Sequence, residues 1–238
     1  MSSIRCAGLL GNLTTAFDEL GAHSYNSSVG SVFLDVVVRC CASSSIRTEV
    51  ILNMRIGVIS DTHTPGAAKE PPQEVARAFE GVEHIFHAGD IYISSCLDWL
   101  ERIAPVTAVE LGSQAHFNGD PRVAEKRVFE LEGYTIAMVH DLIIPGMGGE
   151  VMPGSIPREF PPTKSLPAAV EGVFGASIDI IVFGHTHHAV VEEHQGILLV
   201  NPGSPSLPKQ VRRLGQVAIL ELLPGKPQAK IVDLSDFS

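Results

Sequence analysis

Six short polar motifs, each directly behind a strand-sized apolar run, constrain this chain more than any other feature. They are Asp61-Thr62-His63, Gly89-Asp90, Asn118-Gly119-Asp120, His140-Asp141, Gly184-His185-Thr186-His187 and Asn201-Pro202-Gly203-Ser204. A run of aliphatic residues that stops at a polar turn reads as a buried strand opening onto a loop. In an open α/β sheet, such loops line the crevice where ligands bind. The first five motifs supply imidazoles, carboxylates and an amide, donors that suit Mn²⁺, Fe or Zn²⁺. Two metal ions need about eight ligand positions, one carboxylate can bridge both, and the motifs offer that number. The pattern points to a two-metal hydrolase.

Spacing sharpens the reading. Asp61 and His63 are two apart behind a strand, as are His185 and His187, so each pair can turn its side chains to one side and chelate one ion. Three His within four positions, His185, His187 and His188, directly behind Ile180-Ile181-Val182-Phe183, are hard to explain by packing. Gly-Asp, Asn-Gly-Asp and a lone His are ordinary turn or structural features one at a time. A single metal centre explains them together.

The 238 residues are 45% hydrophobic, enough for one full-sized domain, alone or with an extension. No apolar run reaches the ~18 residues of a membrane helix. A formal charge of −10 argues against broad phosphate-backbone binding to nucleic acid. Of Cys6, Cys40, Cys41 and Cys96, only the last lies in the motif-bearing part. No disulfide framework is expected, and a reducing, cytoplasmic setting is.

Residues 1–53 differ from the rest. They hold nine Ser and three of the four Cys, with 3 Arg against 4 acids; the remainder carries 14 basic against 23 acidic residues. The functional domain is expected to span residues 54–238, starting at Met54, with residues 1–53 a flexible extension or an artefact of the assigned start. From Met54 strands and helices alternate. The expected elements are strands at 56–60, 84–88 and 106–109 and helices at 74–80 and 94–103. A hairpin at 128–139 and strands at 178–183, 189–193, 197–200, 216–222 and 230–234 follow. This order implies an α/β domain with two packed mixed sheets flanked by helices. The Pro- and Gly-rich segment 143–167 is expected to be a lid or a surface insertion.

The order Asp-x-His, Gly-Asp, Asn-x-Asp, His, Gly-His-x-His resembles that of the calcineurin-like metallophosphoesterases. The wording of Ile56-Gly57-Val58-Ile59-Ser60-Asp61-Thr62-His63, His87-Ala88-Gly89-Asp90 and Asn201-Pro202-Gly203-Ser204 is similar to their small bacterial and archaeal phosphodiesterases. The resemblance covers Met54 to the C-terminus. It implies a four-layer αββα sandwich and two divalent ions, with Mn²⁺ first and Fe, Zn²⁺, Ni²⁺ or Co²⁺ as alternatives. One ion is expected on Asp61, His63, Asp90 and His187, the other on Asp90, Asn118, His140 and His185, with Asp90 bridging. The implied reaction is hydrolysis of a small or nucleotide-like phosphodiester by a hydroxide that bridges the metals. His87 and Asn201 are candidates to orient the ligating imidazoles.

Two departures bear on function. Many members of the family place a His, a proton donor to the leaving group, where this chain has Gly119; the small phosphodiesterases also lack it, and good leaving groups are expected. His116 and Asp120 are the candidate catalytic residues of that turn. Relatives also often carry a second His behind the one matching His140, where this chain has Asp141-Leu142. The competing function is a catalytically weak or inactive protein-binding scaffold on the same fold, as in the retromer subunit of that superfamily. The expected partner is a small-molecule substrate with no membrane involved, and homo-oligomerisation is left open.

Overall fold

A computed structural model describes residues 53–112, 117, 119–206 and 214–238. Eleven strands and four short α-helices are formed within them. In chain order these are β1 (Met54–Ile59), α1 (Gln73–Ala78), β2 (His84–His87), α2 (Ser94–Glu101), β3 (Val106–Val109), β4 (Val123–Ala124), β5 (Lys126–Leu131) and β6 (Tyr134–Val139). There follow α3 (Ser155–Glu159), α4 (Leu166–Phe174), β7 (Ile180–Val182), β8 (Val190–His194), β9 (Ile197–Asn201), β10 (Gln216–Leu222) and β11 (Gln228–Asp233), then a 3₁₀ turn at Leu234–Phe237.

The strands form two mixed sheets, ordered β11-β10-β1-β2-β3-β4 and β5-β6-β7-β9-β8. Strands β1 to β4 run parallel to their neighbours, while β10 closes antiparallel on β1. In the second sheet β6, β7 and β9 are parallel, and β5 and β8 are antiparallel edges. Ile56, Val58, Phe86, Met138, Ile180, Val182, Val200 and Leu220 fill the space between the sheets. The outer face of the first sheet carries α1 and α2 over Ile59, Ile85 and Ala108. That of the second carries α3 and α4 over Ala137, Ile181 and Leu199. The result is the expected four-layer αββα sandwich. Central strands buried on both faces explain why their sequences read as unbroken apolar runs.

Local chemistry fixes the ends and turns of the remaining elements. Helix α4 opens with the Ser165 hydroxyl accepting the Ala168 N–H at 3.2 Å and closes at Gly175, whose φ is +74°. The hairpin β5–β6 pairs Leu131 with Tyr134, so Glu132 and Gly133 form a two-residue turn with both φ positive, matching the strand twist. Segment 143–167 is not a structureless loop. It buries Ile144, Val151, Ile156 and Phe160 against the second sheet, and Lys164 ties it together by reaching the Gly146 carbonyl and lying 4.3 Å above the Phe160 ring. Among the described residues, no helix is long and apolar enough to cross a membrane.

Candidate metal centre

The loops leaving β1, β2, β6 and β7 are laced together by backbone hydrogen bonds. Asp61 N–H donates to Gly89 O at 2.8 Å, His63 N–H to Asp90 O at 2.9 Å and Gly184 N–H to His140 O at 2.9 Å. Parallel neighbours β1–β2 and β6–β7 bring these loops to one end of the sandwich. One donor atom each from Asp61, His63, Asp90 and His187 lies within 4.8 Å of the others. His63 Nε2 is 3.0 Å from His187 Nε2 and 3.5 Å from Asp90 Oδ2, and His187 Nε2 is 3.3 Å from Asp61 Oδ1.

His140 lies on the other side of Asp90, with Nε2 3.6 Å from Oδ1. Its Nδ1 sits 2.8 Å from the Ala88 carbonyl, which can only accept, so Nδ1 carries the hydrogen. In the neutral ring Nε2 is therefore a bare lone pair facing a carboxylate. In that form the imidazole and the carboxylate both offer lone pairs to the same space, a donor set that fits a divalent cation. The His185 ring stands edge-on to His140 with centroids 5.4 Å apart, and its Nε2 is 3.7 Å from Glu150 Oε1. Asn118 and His116 lie outside the described residues. Asp120 is held by Arg122, whose Nε and terminal nitrogen donate to its carboxylate at 3.0 and 2.6 Å; the same guanidinium reaches Asp98 and Glu101. His188 turns back to the Thr186 carbonyl at 2.7 Å.

The backbone at the centre is strained in a repeated way. Asp61 and His63, Asp90 and Tyr92, and His185 and His187 all have φ between +48° and +71°. A left-handed non-glycine residue costs about 1 kcal/mol or more, and such residues concentrate at functional sites. The other two described here, Glu132 and Gln195, sit in hairpin turns. Each pair therefore brackets one residue, and three loops present their side chains by the same device.

Buried polar groups hold these loops. The Gly89 N–H donates to His87 Nδ1 at 3.2 Å, so His87 carries its hydrogen on Nε2 and donates to the Thr62 hydroxyl at 3.1 Å. That hydroxyl donates on to the Asp90 carbonyl at 3.3 Å. Burial pushes the His87 imidazole down to about 3, so it is neutral. Asn201 donates to the Gly184 carbonyl at 2.8 Å and the Thr186 hydroxyl at 3.2 Å, and Ser204 donates to the Asp61 carbonyl at 2.8 Å. His87 and Asn201 thus position the loop backbone, where the sequence reading had them orienting imidazoles. Burial would raise the Asp61 carboxyl, but the hydrogen bond from His187 and the nearby imidazoles outweigh it and hold it below its ordinary value. Burial lowers His63 against the pull of Asp90, which favours the unprotonated ligand form.

Three contributors were missed in the sequence: Thr62, Tyr92 and Glu110. Tyr92 Oη is 2.7 Å from His63 Nδ1. Glu110, buried and raised in pKa by that burial, accepts the Ile91 N–H at 2.7 Å. A period-two reading of Gly89-Asp90-Ile91-Tyr92 carries the signal for Tyr92, since it repeats the spacing of Asp61 and His63.

Comparison with known proteins agrees with the geometry. Residues 54–224 match the model of the calcineurin-like phosphoesterase superfamily domain. A probable metallophosphoesterase of Methanothermobacter thermautotrophicus is 37% identical over 157 residues, 66% of this chain and 80% of the relative. A second, from Methanocaldococcus jannaschii, is 31% identical over 156 residues, 66% of this chain and 70% of that one. Among solved structures, vacuolar protein sorting 29 of Cryptosporidium parvum shares the fold with a TM-score of 0.54 at 20% identity, covering 76% of this chain and 97% of its own. An archaeal phosphodiesterase does so at 0.50 and 18%, covering 75% and 100%.

Proposed function

The chain belongs to the calcineurin-like phosphoesterase superfamily, and from that premise we propose that it is a phosphodiesterase with a two-metal centre. Asp61, His63, Asp90 and His187 would hold one ion, and Asp90, His140, His185 and Asn118 would hold the other. Bound divalent cations supply water activation and neutralise charge on phosphoryl oxygens. The observation that carries the reading is the convergence of His63, His187, Asp61, Asp90 and His140 on one spot, with His140 Nε2 3.6 Å from Asp90 Oδ1 and its Nδ1 engaged by the Ala88 carbonyl. The relatives at 37% and 31% identity are probable metallophosphoesterases, which supports hydrolysis over the scaffold alternative.

The chain's own residues shape the substrate preference. Glu150, with 59% of its side chain exposed, places a carboxylate at the rim beside His185. A monoester dianion is repelled there more than a diester monoanion. Gly119 itself supplies no proton donor, so leaving groups that depart unprotonated are favoured. Asp120, with its carboxyl below the ordinary value because Arg122 grips it, serves as an anchor for its own loop. Mn²⁺ fits the oxygen and imidazole donors, as do Fe, Zn²⁺, Ni²⁺ and Co²⁺.

The test is hydrolysis of an aryl phosphodiester and the matching monoester by metal-stripped protein with each metal restored. Metal-dependent cleavage favouring the diester is expected. No turnover with any of the five metals, in folded protein, would leave the scaffold.

A further inference from the structure

We propose that Tyr92 is a positioning residue of the metal centre, its phenol oxygen accepting the Nδ1 hydrogen of His63 so that Nε2 is turned toward the ion. The inference rests on the metal reading above and adds a residue that no ligand set includes.

Three observations converge on it. The Oη–Nδ1 distance of 2.7 Å is that of a good hydrogen bond. The two rings also meet edge-on, with centroids 5.2 Å apart and planes at 69°, which restrains the imidazole in a second direction. Finally, Tyr92 is placed by the same backbone device as the ligands. It is the i+2 partner of Asp90 with φ +70°, as His63 is of Asp61 and His187 of His185. A bulky residue is not held there without compensation.

The turn is built to hold it. Ile91, between the two left-handed residues, is fully buried, and its N–H is gripped by the buried Glu110 carboxylate. With Ile91 pinned inward, Asp90 and Tyr92 both reach His63. Asp90 approaches its Nε2 and Tyr92 its Nδ1, so the imidazole is addressed at both nitrogens. Tyr92 itself remains 48% exposed, so packing alone does not account for its place. A ligating His that donates its other N–H to a fixed acceptor keeps the right tautomer and ring orientation.

Tyr92→Phe removes the hydroxyl and keeps the ring. Mn²⁺ binding to stripped protein, followed by calorimetry, is expected to weaken about tenfold or more, the usual effect of losing such a partner. The visible spectrum of the Co²⁺-loaded variant is expected to shift, a change that a merely structural role would not produce. Wild-type affinity and spectrum in Tyr92→Phe would overturn the proposal. Should the variant not fold, ¹⁵N NMR of the metal-stripped wild type decides. The His63 resonance, identified by its loss in His63→Gln, is expected to show hydrogen on Nδ1, and hydrogen on Nε2 would overturn the proposal. If the wild type binds no divalent ion at all, the metal reading fails and this inference with it. Unchanged binding in Tyr92→Phe sinks only this inference.

Discussion

Asp61 and His185, 124 residues apart, are joined through the backbone: the His185 N–H donates to both oxygens of the Asp61 carboxylate, at 3.2 and 3.1 Å. The bond ties the loop behind β1, in the first sheet, to the loop behind β7, in the second. It also orients the carboxylate that approaches His187. The two halves of the candidate centre are therefore assembled across the sheet interface, and packing there bears directly on ligand geometry.

Gly184 and Gly89 are where that packing is tightest. A Cβ on Gly184 would overlap the Ser60 hydroxyl and approach Asp61 Oδ2 at 2.8 Å; one on Gly89 would overlap the His140 ring. Gly184→Ala is expected to cost about 1–3 kcal/mol of stability, read from urea unfolding. Gly89→Ala is expected to displace His140 and weaken metal binding. Wild-type stability in the first and wild-type affinity in the second would contradict the close approach.

Stability of the metal-stripped protein is expected to fall as the pH drops from about 6.5 toward 3. His87 titrates near 6.5 when unfolded and about 3 when folded, so in that window the unfolded chain binds more protons. The slope from this residue is about 1.4 kcal/mol per pH unit. His63 and His84, lowered by burial, act with the same sign. The depressed Asp61 carboxyl adds stability that is lost at still lower pH. Glu110 is raised by burial and opposes the trend. Urea unfolding at a series of pH values should show a shallower slope in His87→Gln, and an identical slope would remove His87 from this account.

Asp120 distinguishes an anchor from a proton donor. With 11% of its side chain exposed and Arg122 bonded to both oxygens, Asp120→Ala is expected to lose about 1–3 kcal/mol of stability, or about 2–10 °C in Tm. The accompanying fall in kcat should stay under about tenfold, whereas loss of a general acid costs about 10²–10⁴.

Deleting residues 1–53 is expected to leave hydrolysis intact, because β1 begins at Met54 and the family match begins there too. Circular dichroism and turnover of the truncated chain check this, and loss of either would make the leader part of the domain.

The strands were legible because Ile56–Ile59 and Ile180–Val182 are buried on both faces and so appear as apolar runs. Strand β4, two residues long, carries no period to read. Helix α4 had its signals in Ser165, Pro167 and Gly175, but they lie beside a Pro- and Gly-rich stretch that read as one loop. At the site, the paired His and Asp residues were visible because such types are rare directly behind buried strands. Tyr92 was hidden because a Tyr after Ile reads as a hydrophobic pair. Glu110 was hidden because a carboxylate that accepts backbone N–H groups has no spacing signature.

The most direct measurement is Mn²⁺ binding and diester hydrolysis on the same samples of metal-stripped wild type, Asp90→Asn and His185→Ala. The wild type is expected to bind metal and regain turnover. Each variant is expected to remain folded while losing affinity and turnover by more than about 100-fold, beyond the loss seen for a mere neighbour of a ligand. Full metal binding and full activity in either folded variant would contradict the centre as assigned.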